Sequence, residues 1–204
     1  MEISSHPAFS NSGVFSGHSF PRSIRAFVTG SAAIGGMAVL TTVGADVRVP
    51  LDPVPITLQT LFVLLAGALI GPGRGSLSQM VYVSLGAAGV PLFAGTAAGL
   101  AVLSGPTGGY LLGFVLAPLI VGRLIGDRPD FHWKLLVFAI GALTILILGT
   151  LHLALFYTGD LWTAVRVGLL PFIPGDIAKV LSAASICSAW NRLQPPPAFR
   201  RSRP

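Results

Sequence analysis

The sequence predicts an all-α integral membrane protein, a single six-transmembrane-helix bundle with long irregular loops on its outer side. Three observations carry that prediction. The 204 residues are 52% hydrophobic and only 10% charged, with a mean hydropathy of +0.78, whereas a soluble domain carries about 25% charged residues. Apolar runs approaching the roughly 20 residues that cross a bilayer recur along the chain, divided by proline, glycine and charge. The basic residues also sort to one side if the chain crosses six times. The net charge of +6 therefore reads as an orientation signal. Its residues are dispersed between apolar runs, without the clustered patch that nucleic acid requires. Cys187 stands alone, which excludes an internal disulfide and a paired-cysteine metal site.

Residues 1–21 are rich in Ser, Gly, His and Phe without a continuous apolar core, so they read as a polar cytoplasmic tail and not as a signal peptide. His6 and His18 within it are expected to be solvated. The membrane domain spans 22–194. Its first helix is expected from Ile24 to about Val43. Ser31 with Gly35, and Ala32 with Gly36, have the small-xxx-small spacing that lets helix backbones approach closely, either within the chain or against a partner.

Pro50, Pro53 and Pro55 rule out a continuous helix through the stretch DVRVPLDPVPITLQT and predict an extended, rigid loop. A second helix follows from about Thr57 to Ile70, a tight connection at Gly71–Gly75, and a third helix from about Ser76 to Gly89. Between Val90 and Gly108 the chain is apolar yet broken by Gly95, Gly99, Gly105 and Pro106. Non-helical backbone of that hydrophobicity belongs where it is buried in protein or lines a cavity, so a re-entrant or lid-like loop is expected.

Gly109–Ile125 predicts a fourth helix, kinked at Pro118. Gly126–Lys134 is charged and predicts a water-facing loop, Leu135–Tyr157 a fifth helix, and Pro174 to about Leu193 a sixth. Residues 195–204, with three consecutive prolines and Arg200, Arg201 and Arg203, close the chain as a basic cytoplasmic tail. With both ends inside, Arg22, Arg25, Arg74, Arg123, Arg128, Lys134 and Arg192 join those tail arginines on the cytoplasmic side. Only Arg48 and Arg166 lie outside, which is the asymmetry the positive-inside rule asks for. No internal repeat is apparent.

The chemistry is sparse. No GxxxxGK[ST] phosphate loop, HExxH or GxSxG occurs. His132 falls in the charged loop, and a lone His152 within the fifth helix reads as a hydrogen-bonded packing residue. What stands out is PFIPGDIAK, Pro171–Lys179. It puts Asp176 and Lys179 three residues apart on one helix face where apolar residues belong. A charge near the bilayer centre costs roughly 2.5–3.5 kcal/mol on insertion scales, so such residues pair, line a cavity, or both. A self-neutralising ion pair is the bland reading. A ligand carrying adjacent N–H donors and a carbonyl would use both groups, with donors to the aspartate and the acceptor to the lysine. Ala183, a turn further along, is small enough to leave room for it.

Five motifs in order, VPLDPVPITLQTL, LLAGALIGPGRGSLSQ, VPLFAG, GPTGGYLLGF and PFIPGDIAK, closely resemble the BioY family, the substrate-binding S components of energy-coupling-factor biotin transporters. The resemblance extends from about Val49 to Val180. It implies a six-helix fold in the bacterial cytoplasmic membrane that binds biotin from the outer side. It further implies a transmembrane coupling subunit and two ATPase subunits as partners, the former docking on Ser31, Ala32, Gly35 and Gly36. Biotin enters as transported substrate; no cofactor and no metal are expected. Alongside Asp176 and Lys179, the family points to Gln59, Tyr82 and Tyr110 as pocket or gate residues. Where some relatives have Asn in the glycine-rich turn after VPLFAG and Arg after GPTGGY, this chain has Ala97 and Leu111. The biotin carboxylate is then left to backbone N–H groups, to Thr96 or Ser104, or to water. An S component for another vitamin, an intramembrane enzyme using Asp176 and Lys179 as acid and base, and a structural subunit without ligand are the competing readings.

Overall fold

The computed structural model describes residues 22–126, 128 and 130–193, with side chains from residue 28 onward; the polar and basic tails expected at either end lie outside these residues. The described chain is almost entirely helical. Helix α1 runs Arg22–Asp46, α2 Gln59–Ile70, α3 Pro72–Ala87, α4 Leu100–Ser104, α5 Gly108–Leu124, α6 Phe131–Leu153, α7 Leu161–Gly168 and α8 Ile173–Leu193. Strands β1 (Arg48–Val49) and β2 (Ile56–Thr57) pair antiparallel across the proline-rich loop. Three stretches, Val28–Asp46, Phe131–Thr158 and Leu161–Leu193, are long and apolar enough to cross a membrane, and Gln59–Ile70 and Gly108–Leu124 are shorter apolar helices.

Large apolar side chains on the outward faces, among them Val39, Leu112, Leu136, Leu143, Ile147, Ile177 and Leu181, are exposed. In water such a surface would drive aggregation; against lipid tails it is neutral. Helix association in lipid then depends on close packing, and the glycines supply it. A Cβ added to Gly67 of α2 would lie 2.6 Å from the Pro118 carbonyl oxygen, and one on Gly113 of α5 would lie 2.7 Å from Cα of Ile145. α5 runs on through Pro118, which is itself fully buried. Polar side chains between α1 and α3 are paired: the Thr41 hydroxyl meets the Gln79 amide, which also donates to Ser78.

Several boundaries differ from the sequence reading. The segment Gly71–Gly75 is not a loop: Gly71 alone makes the turn with φ +88°, and Pro72 opens α3 at the position where its missing N–H costs nothing. α3 ends at Ala87, not Gly89. The expected extended loop contains the β1–β2 hairpin. α6 begins at Phe131 and passes into a π turn at Ala154–Thr158, so the charged loop is shorter than expected. Lys134, assigned to water, is 2% exposed and donates from Nζ to Ser188 Oγ of α8 at 3.1 Å. α7 is capped by Asp160, whose carboxylate accepts from Thr163 N at 2.7 Å; that bond holds the carboxyl below its ordinary range. Pro174 sits in the first turn of α8, whose start at Ile173 is one residue early.

The core divides along the helix axes. One cluster joins Leu64, Val121, Phe138, Ala183 and Cys187. The other, around Tyr82, Phe93, Tyr110, Phe114 and Phe172, surrounds a hollow at the opposite halves of the same helices.

Candidate substrate-binding site

The hollow has a volume of about 370 Å³, within the range of small-molecule sites. Tyr82 of α3 and Ile145 and Leu146 of α6 stand in its walls, and the rest of the lining comes mainly from four other places in the chain. The hairpin and start of α2 give Val54, Thr57 and Gln59; the glycine-broken loop gives Phe93, Ala97 and Pro106; α5 gives Tyr110, Leu111 and Phe114; the 3-10 turn and α8 give Phe172, Asp176 and Lys179. Most of the lining is apolar, and the polar groups gather on one side.

Those polar groups form a chain. Lys179 Nζ lies 2.5 Å from Asp176 Oδ1 and donates to the Thr57 carbonyl at 3.0 Å. The Thr57 hydroxyl donates to Gln59 Oε1 at 2.9 Å, Gln59 Nε2 donates to the Tyr82 hydroxyl, and that hydroxyl donates to the Leu92 carbonyl at 3.2 Å. One continuous run thus links α8, the hairpin, α2, α3 and the loop. Asp176 and Lys179 are 7% and 6% exposed. Asp176 stands in the first turn of α8. The site therefore offers a buried acceptor beside N–H donors from Lys179 and Gln59.

Tyr110 contributes its ring to the wall, stacked on Phe172 at 5.8 Å, while its hydroxyl donates to the Gly168 carbonyl at 2.6 Å. That bond fixes the end of α7 over the start of α8. His152 bonds the Gly105 carbonyl through Nε2 at 3.1 Å and packs on Phe156, which ties the glycine-broken loop to α6.

Of the residues singled out from sequence, Asp176, Lys179, Gln59, Tyr82 and Tyr110 come together on this hollow. Thr96 does not. It has φ +60°, its hydroxyl folds back on the Gly95 carbonyl, and its side chain is exposed. Ser104 is likewise exposed at the end of α4. Ala183 is fully buried in the second core cluster and leaves no room for a ligand. Sequence reasoning missed Thr57, whose carbonyl is the acceptor for Lys179; its place beside Gln59 in PITLQT was the available signal. Ala97 and Leu111 both line the hollow. Behind Asp176, Leu146 also faces an apolar groove of about 440 Å³ between α6 and α8.

A model of the BioY family matches residues 18–195. The chain belongs to the BioY family. The biotin transporter BioY of Thermotoga maritima is 41% identical over 160 residues, covering 78% of this chain and 94% of that protein. A probable biotin transporter BioY of Pyrococcus horikoshii is 43% identical over 155 residues, covering 76% and 90%. Among solved structures, the S-component for biotin from an ECF-type ABC transporter superposes with a TM-score of 0.78 over 83% of this chain and 94% of that one. Its identity is 24%, so the likeness establishes the fold. The BioY motifs in the sequence supply the hairpin, the loop and the start of α8, which with α2 and α3 carry the polar chain.

Proposed function

We propose that this chain takes up biotin across the bacterial cytoplasmic membrane as the substrate-binding component of an energy-coupling-factor transporter. Asp176 and Lys179 hold the ureido head. Two N–H groups and one carbonyl of that ring need an acceptor beside donors, and the buried Asp176–Lys179 pair on the wall of the hollow is the single observation that carries the reading. Gln59 and Tyr82 complete the polar side, while Phe93, Phe114 and Phe172 suit the bicyclic body and aliphatic chain. The names of the Thermotoga and Pyrococcus relatives support the same cargo.

In this reading six helices, α1, α2, α3, α5, α6 and α8, cross the membrane with both termini cytoplasmic. The hairpin, the glycine-broken loop and the start of α8 then face outward. The coupling subunit docks on α1, where Ser31, Ala32 and Gly36 are exposed and a Cβ at Gly35 or Gly36 would meet nothing within 4 Å. Two ATPase subunits supply the energy, so the chain acts as a transporter component and not as an enzyme.

The test is mass spectrometry of the compound released from the purified protein, repeated with Asp176→Asn. Charge-assisted hydrogen bonds contribute about 1.5–3 kcal/mol, so occupancy under matched limiting biotin should fall by roughly ten- to a hundredfold. Equal biotin in both would remove Asp176 from the role. Thiamine or riboflavin in place of biotin would assign another cargo.

A further inference from the structure

Asp176 and Lys179 account for one end of an elongated, acidic ligand; the carboxylate end is unassigned. Among the cavity-lining residues the only cation is Lys179, already engaged with Asp176 and the Thr57 carbonyl. A second cation stands close by. Arg48 occupies β1 directly opposite Thr57 of β2, and cross-strand partners of this kind lie about 5 Å apart with side chains on the same face of the ribbon. From there the guanidinium crosses to the glycine-broken loop and rests on Gly95, where an added Cβ would collide with Nη1. Gly95 has φ +79° and lies between Ala94 and Ala97, both of which line the hollow. The Arg48 side chain is exposed, and among the described residues it makes no side-chain hydrogen bond or ion pair.

We propose that Arg48 is the carboxylate-binding residue at the mouth of the site. It reaches from the strand paired with the one that supplies the acceptor for Lys179 to the turn that covers the cavity. Guanidinium presents its N–H groups in a planar fork that matches a carboxylate, and near the surface it keeps part of its hydration until the ligand arrives. The arrangement gives the ligand two charged grips, one buried and one at the rim, and it replaces what Ala97 and Leu111 do not offer. With a carboxylate on Arg48, the guanidinium also pins Gly95, so binding the acid end holds the loop over the hollow.

The proposal rests on the biotin reading above, and its test separates the two. Equilibrium affinities for biotin and for biotin amide, which keeps the ureido head and the chain but has no charge, are measured on the parent, Arg48→Gln and Arg48→Lys. The expected result is a parent that prefers biotin by about tenfold or more, as a charge-assisted bidentate contact would give. In R48Q that preference falls to within about twofold through loss of biotin affinity alone, and R48K restores part of it. A parent that binds both compounds equally, or an R48Q that weakens both alike, would overturn the role of Arg48 and leave the biotin reading intact. A parent that binds neither would overturn both.

Discussion

Asp176 and Lys179 carry opposite charges in a place where either alone would be costly. Removing one partner of a buried pair leaves an uncompensated charge and typically costs about 3–5 kcal/mol, whereas replacing both with uncharged groups of similar size is close to neutral. Lys179→Met should therefore lower the melting temperature sharply, and the double variant Asp176→Asn/Lys179→Met should recover most of the loss. Thermal unfolding of the ligand-free protein checks this. A K179M protein as stable as the parent would mean that the pair is hydrated. The two residues are legible in the sequence because charge in an apolar run demands an explanation. Lys134 is not, since it follows a charged loop in sequence and yet folds inward onto Ser188. Thr96 and Ala183 show the limits of type and spacing. A positive φ turns Thr96 away from the hollow, and one helix face serves both cavity and core, so Ala183 falls to the core.

Among the elements, α5 and α6 pack through residues with no side chain to spare, while α1 presents small residues to open space. The Tyr110 ring occupies the volume a Cβ on Gly149 would need. Gly149→Ala should displace that ring, loosen its stack on Phe172 and cost about 1–3 kcal/mol by overpacking, with weaker biotin binding in consequence. Gly35→Leu/Gly36→Leu, where nothing lies within 4 Å, should leave the melting temperature unchanged and abolish copurification of the proposed coupling subunit. Thermal unfolding and pull-down on both variants decide the matter; destabilisation by the α1 substitutions would make that face internal packing. Helix positions are readable here from apolar runs, because lipid leaves little freedom in where a span lies. Boundaries are less so: Pro72 starts a helix inside a segment that reads as a turn, and the hairpin depends on cross-strand pairing that no local pattern announces.

At the scale of the molecule, two core clusters divide the bundle into a packed half and a hollow half. The polar chain from Asp176 through Lys179, Thr57, Gln59 and Tyr82 to Leu92 runs along one side of the hollow. It joins elements more than a hundred residues apart in sequence. Such a run positions donors and acceptors before a ligand arrives, which lowers the ordering cost of binding. The motifs that carry it are visible in the sequence one at a time, and their convergence is visible only in three dimensions. The central claim is that this hollow is a preformed biotin site in the chain by itself. Calorimetric titration of biotin into the purified chain tests it most directly, with Asp176→Asn alongside, titrated at a temperature below its own unfolding transition. Saturable one-to-one binding by the parent, weakened about tenfold or more in the variant, is the predicted result. Indistinguishable affinities, or no binding without the other subunits, would contradict it.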